Sequence, residues 1–226
     1  MAELSPMMRQ YMEIKEQNKD CIIFYRLGDF YEMFFDDAIK GSQELELTLT
    51  GRDCGLPERA PMCGVPFHSA EGYIARLVEK GYKVAICEQT EDPTTAKGLV
   101  RRDVIRTITP GTVLEDSMLE EGKNNYLASV VICESEIGLC FTDASTGECY
   151  ATSLPQDNFQ NSIIDEISRF SPRELLVKKD FKVKAPLVWE FLERTFQGLI
   201  TEREEKYFDY NIDLCFNSFS FKCFSK

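Results

Sequence analysis

Short apolar runs of six or seven residues, each set beside a stretch with helical spacing, constrain the fold of this chain most. Cys21–Leu27 (CIIFYRL), residues 82–87 (YKVAIC) and Ile137–Asp143 (IGLCFTD) are rich in β-branched and aromatic side chains and too short for ordinary helices. Ahead of the first run, Met7, Met8, Tyr11 and Met12 recur at helical spacing behind Ser5-Pro6, a cap followed by proline at the first helical position. Tyr73, Ile74, Leu77 and Val78 do the same between Ser69 as a cap and Gly81 as a stop. Phe159, Ile163, Ile164, Ile167 and Phe170 form a third such face. Strands alternating with amphipathic helices predict a mixed α/β architecture.

In the first half the pattern predicts a helix over 6–17, a strand over Cys21–Leu27, a break at Gly28-Asp29 and an aromatic run over 30–35. A helix over 36–44 and a period-two strand over 45–50 follow, and residues 51–68, with three glycines and three prolines, read as loop. Strands over 82–87 and 104–109 flank a loop at 91–98, and Pro110-Gly111 marks a turn. Residues 113–124 are polar and acidic, as in a linker or linking helix. Beyond them, strands over 126–133, 137–143 and 147–153 are separated by turn residues at 134–136 and 145–147. The helix around Ile163, a strand over 174–177 and helical spacing over 187–196 complete the pattern. A three-strand meander followed by alternating helix and strand suggests the ribonuclease-H-like α/β class.

With 226 residues and 43% hydrophobic side chains, the chain has enough apolar surface for two packed domains. It has no apolar run approaching about eighteen residues and no apolar leader at its start, so the expectation is a cytoplasmic protein that makes no contact with membrane. Nine cysteines, an odd number without a CxxC pair, argue against both a disulfide framework and a zinc site, and most are expected as small core residues. His68 is the only histidine and reads as a hydrogen-bonded structural residue. A net charge of −12 counts against general nucleic-acid affinity, so DNA binding would need a specific contact or help from a larger protein. The one basic stretch is residues 97–106, where Lys97, Arg101, Arg102 and Arg106 accompany a single Asp103.

The segment Phe24-Tyr-Arg-Leu-Gly-Asp-Phe30-Tyr31-Glu32-Met-Phe34 resembles the bacterial MutS family of DNA mismatch-repair proteins. Other stretches are similar to that family in the same order. They are Pro6-Met-Met-Arg-Gln-Tyr11, Pro61-Met-Cys-Gly-Val-Pro66-Phe-His68, Ala85-Ile-Cys-Glu-Gln89, Asp92-Pro-Thr-Thr-Ala-Lys97-Gly98, Arg106-Thr-Ile-Thr-Pro-Gly-Thr112, Tyr126-Leu-Ala and Asp143-Ala-Ser-Thr-Gly147. The resemblance implies a mismatch-recognition domain over 1–112, a linker over 113–124 and a connector domain over 125–226, the last ribonuclease-H-like and incomplete. From about Phe216 the tail departs from the family pattern.

The resemblance also assigns roles. The family's mispair-reading Phe-x-Glu falls on Phe30 and Glu32, with Phe30 as a wedge against a mispaired base and Glu32 bonding that base. Inserting a ring between base steps costs a few kcal/mol of unstacking, least where pairing is already defective. Stacking returns about 1–3 kcal/mol and tolerates any base. A carboxylate beside phosphates is repelled, which disfavours insertion into intact duplex. Composition alone reads such an aromatic run as core, and Tyr31, Phe34 and Phe35 keep that reading. Arg52, Lys97, Arg101 and Arg102, with the main chain around Met62, are candidate DNA-backbone contacts. The implied partners are mismatched duplex DNA, MutL through the connector, and a second copy only where the family's C-terminal region is present. That region carries the ATP and Mg²⁺ site. No GxxxxGK[ST] occurs here, so the expectation is no cofactor and no enzymatic activity in this chain. Two other readings remain: an interaction module with no DNA binding of its own, and a metal-dependent nuclease built on Asp143 and Glu148.

Overall fold

The computed structural model describes residues 3–91, 98–134 and 136–208, which fall into two compact units, Met1–Thr109 and Pro110–Lys226. The first unit is a six-stranded sheet with helices on both faces. Its elements are α1 (Pro6–Gln17), β1 (Cys21–Leu27), β2 (Phe30–Phe34), α2 (Phe35–Leu45), β3 (Thr50–Arg52), β4 (Ala60–Pro66), α3 (Ala70–Glu79), β5 (Lys83–Gln89) and β6 (Arg102–Ile108). The strand order is β3-β4-β2-β1-β5-β6, antiparallel except for the parallel β1/β5 pair that α3 helps to connect.

α1 begins as its sequence dictates. The Ser5 hydroxyl accepts from the Met8 N–H at 3.4 Å, and Pro6 opens the helix, where its missing N–H leaves nothing unpaired. At the other end, Asn18 donates to the Ile14 carbonyl at 2.9 Å. The buried Met8 and Tyr11 press into Cys21, Ile23, Tyr25 and Phe34, one face of β1 and β2. The opposite face carries Ile22, Phe24, Tyr31 and Met33 beneath α2 and α3. Gly41 of α2 makes that approach possible, because a Cβ there would come within 2.6 Å of the Met33 sulfur. Within the α1 layer lies a buried polar knot. The Asp37 carboxylate accepts from the Tyr11 hydroxyl at 2.9 Å, the Lys15 ammonium at 2.8 Å and the Ile23 N–H at 3.0 Å.

Three local expectations fail here for tertiary reasons. Residues 45–50 do not form a strand: the buried Leu45 completes the core face of α2, Glu46 turns left-handed at φ 58°, and the Leu47 N–H returns to the Ser42 carbonyl at 2.9 Å. Residues 51–68 are not a loop but supply β3 and β4. Pro66 is the last residue of β4, and Pro61 lies opposite Gly51 of the three-residue edge strand, places a sheet tolerates proline. Ser69 does not cap α3. It ends a short 3-10 turn (Phe67–Ser69), and its hydroxyl donates to the Pro66 carbonyl at 3.2 Å.

The second unit is a five-stranded sheet built from β7 (Tyr126–Ile132), β8 (Ile137–Asp143), β9 (Glu148–Leu154), β10 (Glu174–Lys178) and β11 (Leu199–Arg203), in the order β11-β10-β7-β8-β9. The first three strands form the expected antiparallel meander. β10 and β11 add in parallel through α4 (Phe159–Phe170) and through α5 (Phe181–Lys184) with α6 (Pro186–Arg194), as the ribonuclease-H-like expectation requires. β11 has no sequence counterpart above. Alternation along β8 buries Ile137, Leu139 and Phe141 against Ile163 and Ile167 of α4 and Val188 and Leu192 of α6. Phe170 of α4 stacks on Phe141 with ring centroids 4.1 Å apart.

The stretch expected as a linker, 113–124, falls within this unit, and its first residue and its flanks are held in place. Val113 is buried, the Gly111 N–H donates to the Glu174 carboxylate at 3.3 Å, and Asn125 donates to the Pro110 carbonyl at 2.9 Å. Glycine is required at 111, since a Cβ would meet the Glu174 Cβ at 2.8 Å. Of the cysteines, 21, 54, 63 and 87 are buried, and burial pushes the Cys21 and Cys87 thiols up to about 12. Cys215 and Cys223 lie outside the described residues, as does the divergent tail. Among the described residues no helix is long and apolar enough to cross a membrane.

Candidate nucleic-acid interface

β1 and β2 form a hairpin whose two-residue tip is Gly28-Asp29, closed by the pair Leu27 and Phe30. Gly28 sits at φ 57°, a conformation that glycine adopts without strain. From the tip, period two puts Phe30, Glu32 and Phe34 on one face of β2 and Tyr31 and Met33 on the other. Along the first face coverage runs out. Phe34 is fully buried beneath α1, the Glu32 side chain is 14% exposed, and Phe30 is 46% exposed. Among the described residues no aromatic ring packs against Phe30.

The tip that carries this ring is pinned from behind. The Asp29 carbonyl accepts from the Phe67 N–H at 2.9 Å, and the Gly28 carbonyl accepts from Arg26 Nε at 2.6 Å. The Arg26 guanidinium lies 3.7 Å from the centre of the Phe67 ring and 3.4 Å from the Glu88 carboxylate. Tyr31 donates to the same carboxylate. Burial, then the bond to and charge of Glu88, push its phenol up to about 12. Tyr31 is thus a packing residue, 8% exposed. Arg26, Phe67 and Glu88 lie in the motifs quoted above but had no role assigned from the sequence, because their roles depend on contacts between strands. His68 is exposed, edge-on to Phe67, rather than held by hydrogen bonds as expected.

The candidate phosphate contacts separate. Arg52 is ion-paired with Glu32. Arg102 is 6% exposed, with its guanidinium donating to the Arg26 and Val100 carbonyls at 2.8 and 2.9 Å and lying 5.0 Å from the Tyr25 ring. So committed through Nε and Nη1, it locks β6 to β1. Arg101 is exposed and pairs with Asp103 at 3.0 Å. Met62 is half-buried against the aromatic core, between Thr50 and Phe34 in neighbouring strands. Lys97 lies outside the described residues.

Comparison with known proteins now bears on this hairpin and the sheets around it. The family model described as MutS domain I matches residues 5–117, and that described as MutS domain II matches residues 125–225. This chain belongs to the MutS family. A DNA mismatch repair protein MutS from Acetivibrio thermocellus is 57% identical over 209 residues, covering 92% of this chain and 24% of the relative. Those from Ruminiclostridium cellulolyticum and Clostridium tetani are each 54% identical, over 97% and 93% of this chain and 25% and 23% of theirs. The chain therefore spans about a quarter of the length of these relatives. It holds MutS domains I and II.

In MutS domain II the two residues of the nuclease reading have other work. Asp143 is fully buried, and its carboxylate accepts from the Asn125 N–H at 3.0 Å, the Ser145 N–H at 2.9 Å, the Ser145 hydroxyl at 2.6 Å and the Asn124 amide at 3.1 Å. Asn124 also donates to Glu148 at 3.0 Å. Both Asp143 oxygens are thereby spent on the β8–β9 turn and the start of β7. Among the described residues no group of three or more His, Cys, Asp or Glu side chains converges as a metal site would require.

Burial raises the Asp143 pKa, but the bonds from Ser145, Asn125 and Thr146 outweigh it and hold the carboxyl below its ordinary 3.8. A group depressed on folding contributes stability that is complete above the ordinary value and is lost as pH falls through the folded one. Asp143→Asn is expected to cost the second unit about 1–3 kcal/mol at pH 7. The gap to the parent should narrow as pH falls well below 3.8, because the parent's carboxyl is then protonated and loses the bonds that the amide variant never made. Urea unfolding at pH 7 and pH 2.5 checks this, and an equal gap at both would sink it.

Proposed function

We propose that this chain reads mispaired or unpaired bases in duplex DNA as the N-terminal part of a MutS-type mismatch repair protein. The observation that carries the reading is the exposed Phe30 ring at the end of a pinned hairpin, with the Glu32 carboxylate two residues away on the same face. An apolar ring that makes no aromatic contact of its own, held on a rigid backbone, is what a wedge between base steps needs. Its energy of insertion is lowest where stacking is already broken, so it selects mismatches by deformability and needs no particular sequence. Glu32 then takes a hydrogen bond from the displaced base. The name carried by all three relatives supports the same reading.

Phosphate positioning falls to Arg101, to Lys97 and to the outer edge of β4 beyond the end of β3, around Gly64. With a net charge of −12, this domain pair contributes selectivity more than grip. In the whole protein, which acts in the cytoplasm on the nucleoid, affinity would come from the rest of the chain. ATP, Mg²⁺ and dimer formation belong there too, and domain II offers the surface for MutL.

The test is fluorescence anisotropy of the 226-residue chain on a G·T duplex and its matched twin at low salt. It is repeated with the chain replacing the N-terminal quarter of a full-length MutS relative. Tighter binding of the mismatched duplex in either setting is the expected result. Equal binding in both would leave an interaction module without base reading.

A further inference from the structure

The ion pair between Arg52 and Glu32 gives the arginine a part in base reading that its charge alone does not suggest. Resting on the assignment of Phe30 and Glu32 above, we propose that Arg52 is a positioning residue for the Glu32 carboxylate, and not a phosphate contact. The sheet brings the two together. Glu32 of β2 lies opposite Gly64 of β4, and Arg52 of β3 lies opposite Ala60 of the same strand. Residues two apart share a face, so both charged side chains rise on one side of β4.

On that side β4 carries Ala60, Met62 and Gly64, and its one large side chain, Met62, packs into the cluster of Met8, Tyr11 and Phe34. Gly64 has no side chain, and a Cβ there would come within 3.3 Å of Glu32 Cγ and 3.1 Å of the Tyr31 carbonyl. Ala60 adds only a methyl. Arg52 can therefore reach past β4 to one oxygen of Glu32. The Glu32 side chain is 14% exposed and that of Arg52 36%, so the pair sits partly out of water, where its charges are screened less than on an open surface.

Two consequences follow for DNA binding. First, the guanidinium removes a rotamer choice from Glu32, aiming its second oxygen along the face on which Phe30 stands. A reader that makes one hydrogen bond to a base needs that aim fixed before the base arrives. Second, the pair is neutral as a unit. An unpartnered carboxylate driven toward a duplex meets the field of the phosphates. One paired with Arg52 approaches with far less repulsion. Arg52 thereby sets how strongly Glu32 opposes DNA and where its free oxygen points. A phosphate contact would do neither, and would leave Glu32 loose beside the wedge.

The test is a double-variant cycle on the chain alone and on the chain carried by a full-length relative. It uses Glu32→Gln, Arg52→Met and both together, with Arg52→Lys as a second variant should the methionine disturb folding. The readouts are the mismatch-to-match affinity ratio and the salt dependence of binding. Arg52→Met alone is expected to reduce the ratio roughly tenfold, within the coupling usual for residues in contact. In the Glu32→Gln background, where no carboxylate is left to aim, it changes the ratio no further. Arg52→Lys restores part of the ratio. If the effects of the two substitutions multiply, and Arg52→Met still lowers the slope by about one in the Glu32→Gln background, Arg52 is a phosphate contact and the inference is overturned. Phe30→Ala separates the two failures. If it leaves the ratio intact, the base-reading assignment fails and takes this inference with it. If it abolishes the ratio while Arg52 and Glu32 act independently, only the inference fails.

Discussion

Phe30→Ala is expected to lower affinity for a G·T duplex by roughly 5- to 150-fold, the loss of about 1–3 kcal/mol of ring–base stacking. Binding to the matched duplex changes little, because an intact stack does not admit the ring. Folding is nearly untouched. The side chain is 46% exposed and lacks a ring partner, so its removal shifts stability by about 0.5 kcal/mol or less. The contrast is Phe34, four residues along the same face. It is fully buried against Tyr11 and Tyr25, with ring centroids 5.1 and 6.3 Å away, and its loss costs about 3–5 kcal/mol. Anisotropy and urea unfolding on the two variants distinguish a reading ring from a packing ring. Should Phe30→Ala lower stability as Phe34→Ala does, while leaving mismatch affinity alone, Phe30 is core and the wedge assignment is wrong.

Asp37→Ala is expected to damage the first unit about as much as the loss of Phe34. The carboxylate is 3% exposed and ties together three elements: Tyr11 and Lys15 of α1, the Ile23 N–H of β1, and α2, on which it stands. Removing it takes a partner from a partly buried ammonium, a hydroxyl and a main-chain donor at once, leaving the ammonium only the Cys21 carbonyl at 2.5 Å and the hydroxyl only the Phe34 carbonyl at 3.2 Å, at about 3–5 kcal/mol. Burial and the Asp37 charge already hold the Tyr11 phenol far above its ordinary range, so that hydroxyl stays a donor at every accessible pH. Adding Lys15→Met should recover part of the loss by removing the orphaned charge. Chemical denaturation of the single and double variants measures both effects. A loss under about 1 kcal/mol for Asp37→Ala would mean that water replaces the carboxylate and the knot is not structural.

The two variants differ in what made them visible. Phe30 and Glu32 came from a run of residues with a recognisable order. Asp37 looked like one more acid in the first turn of a helix, and only the packing of α1 over β1 turns it inward. The same holds for the basic candidates. Arg101 and Arg102 are adjacent in sequence, yet the first stands just before β6 and is solvent-exposed, while the second opens the strand and is buried against Tyr25. Local composition could not choose which face the core would claim. Prolines 61 and 66 argued for a loop on local grounds, but a strand end and a position beside a three-residue edge strand relieve both. Leu45 alternated convincingly with Leu47, and a helix that could bury Leu45 prevailed.

Sequence by itself determined the elements whose signal is local: the capped helix α1, the hairpin broken at Gly28-Asp29, the three-strand meander, and the period-two spacing that puts Phe30, Glu32 and Phe34 on one face. It also determined family membership, through motifs kept in order along the chain. Tertiary structure alone decided that α1 covers the Phe34 end of that face and leaves the Phe30 end open. It alone decided that Arg52 reaches Glu32 across β4, and that Arg26 and Phe67 hold the tip still. Those outcomes rest on contacts between residues 20 to 41 positions apart in the chain, as for Glu32 with Arg52 and Arg26 with Phe67. Their energies come from burial and charge pairing that exist only once the strands are side by side, so no local pattern could carry them.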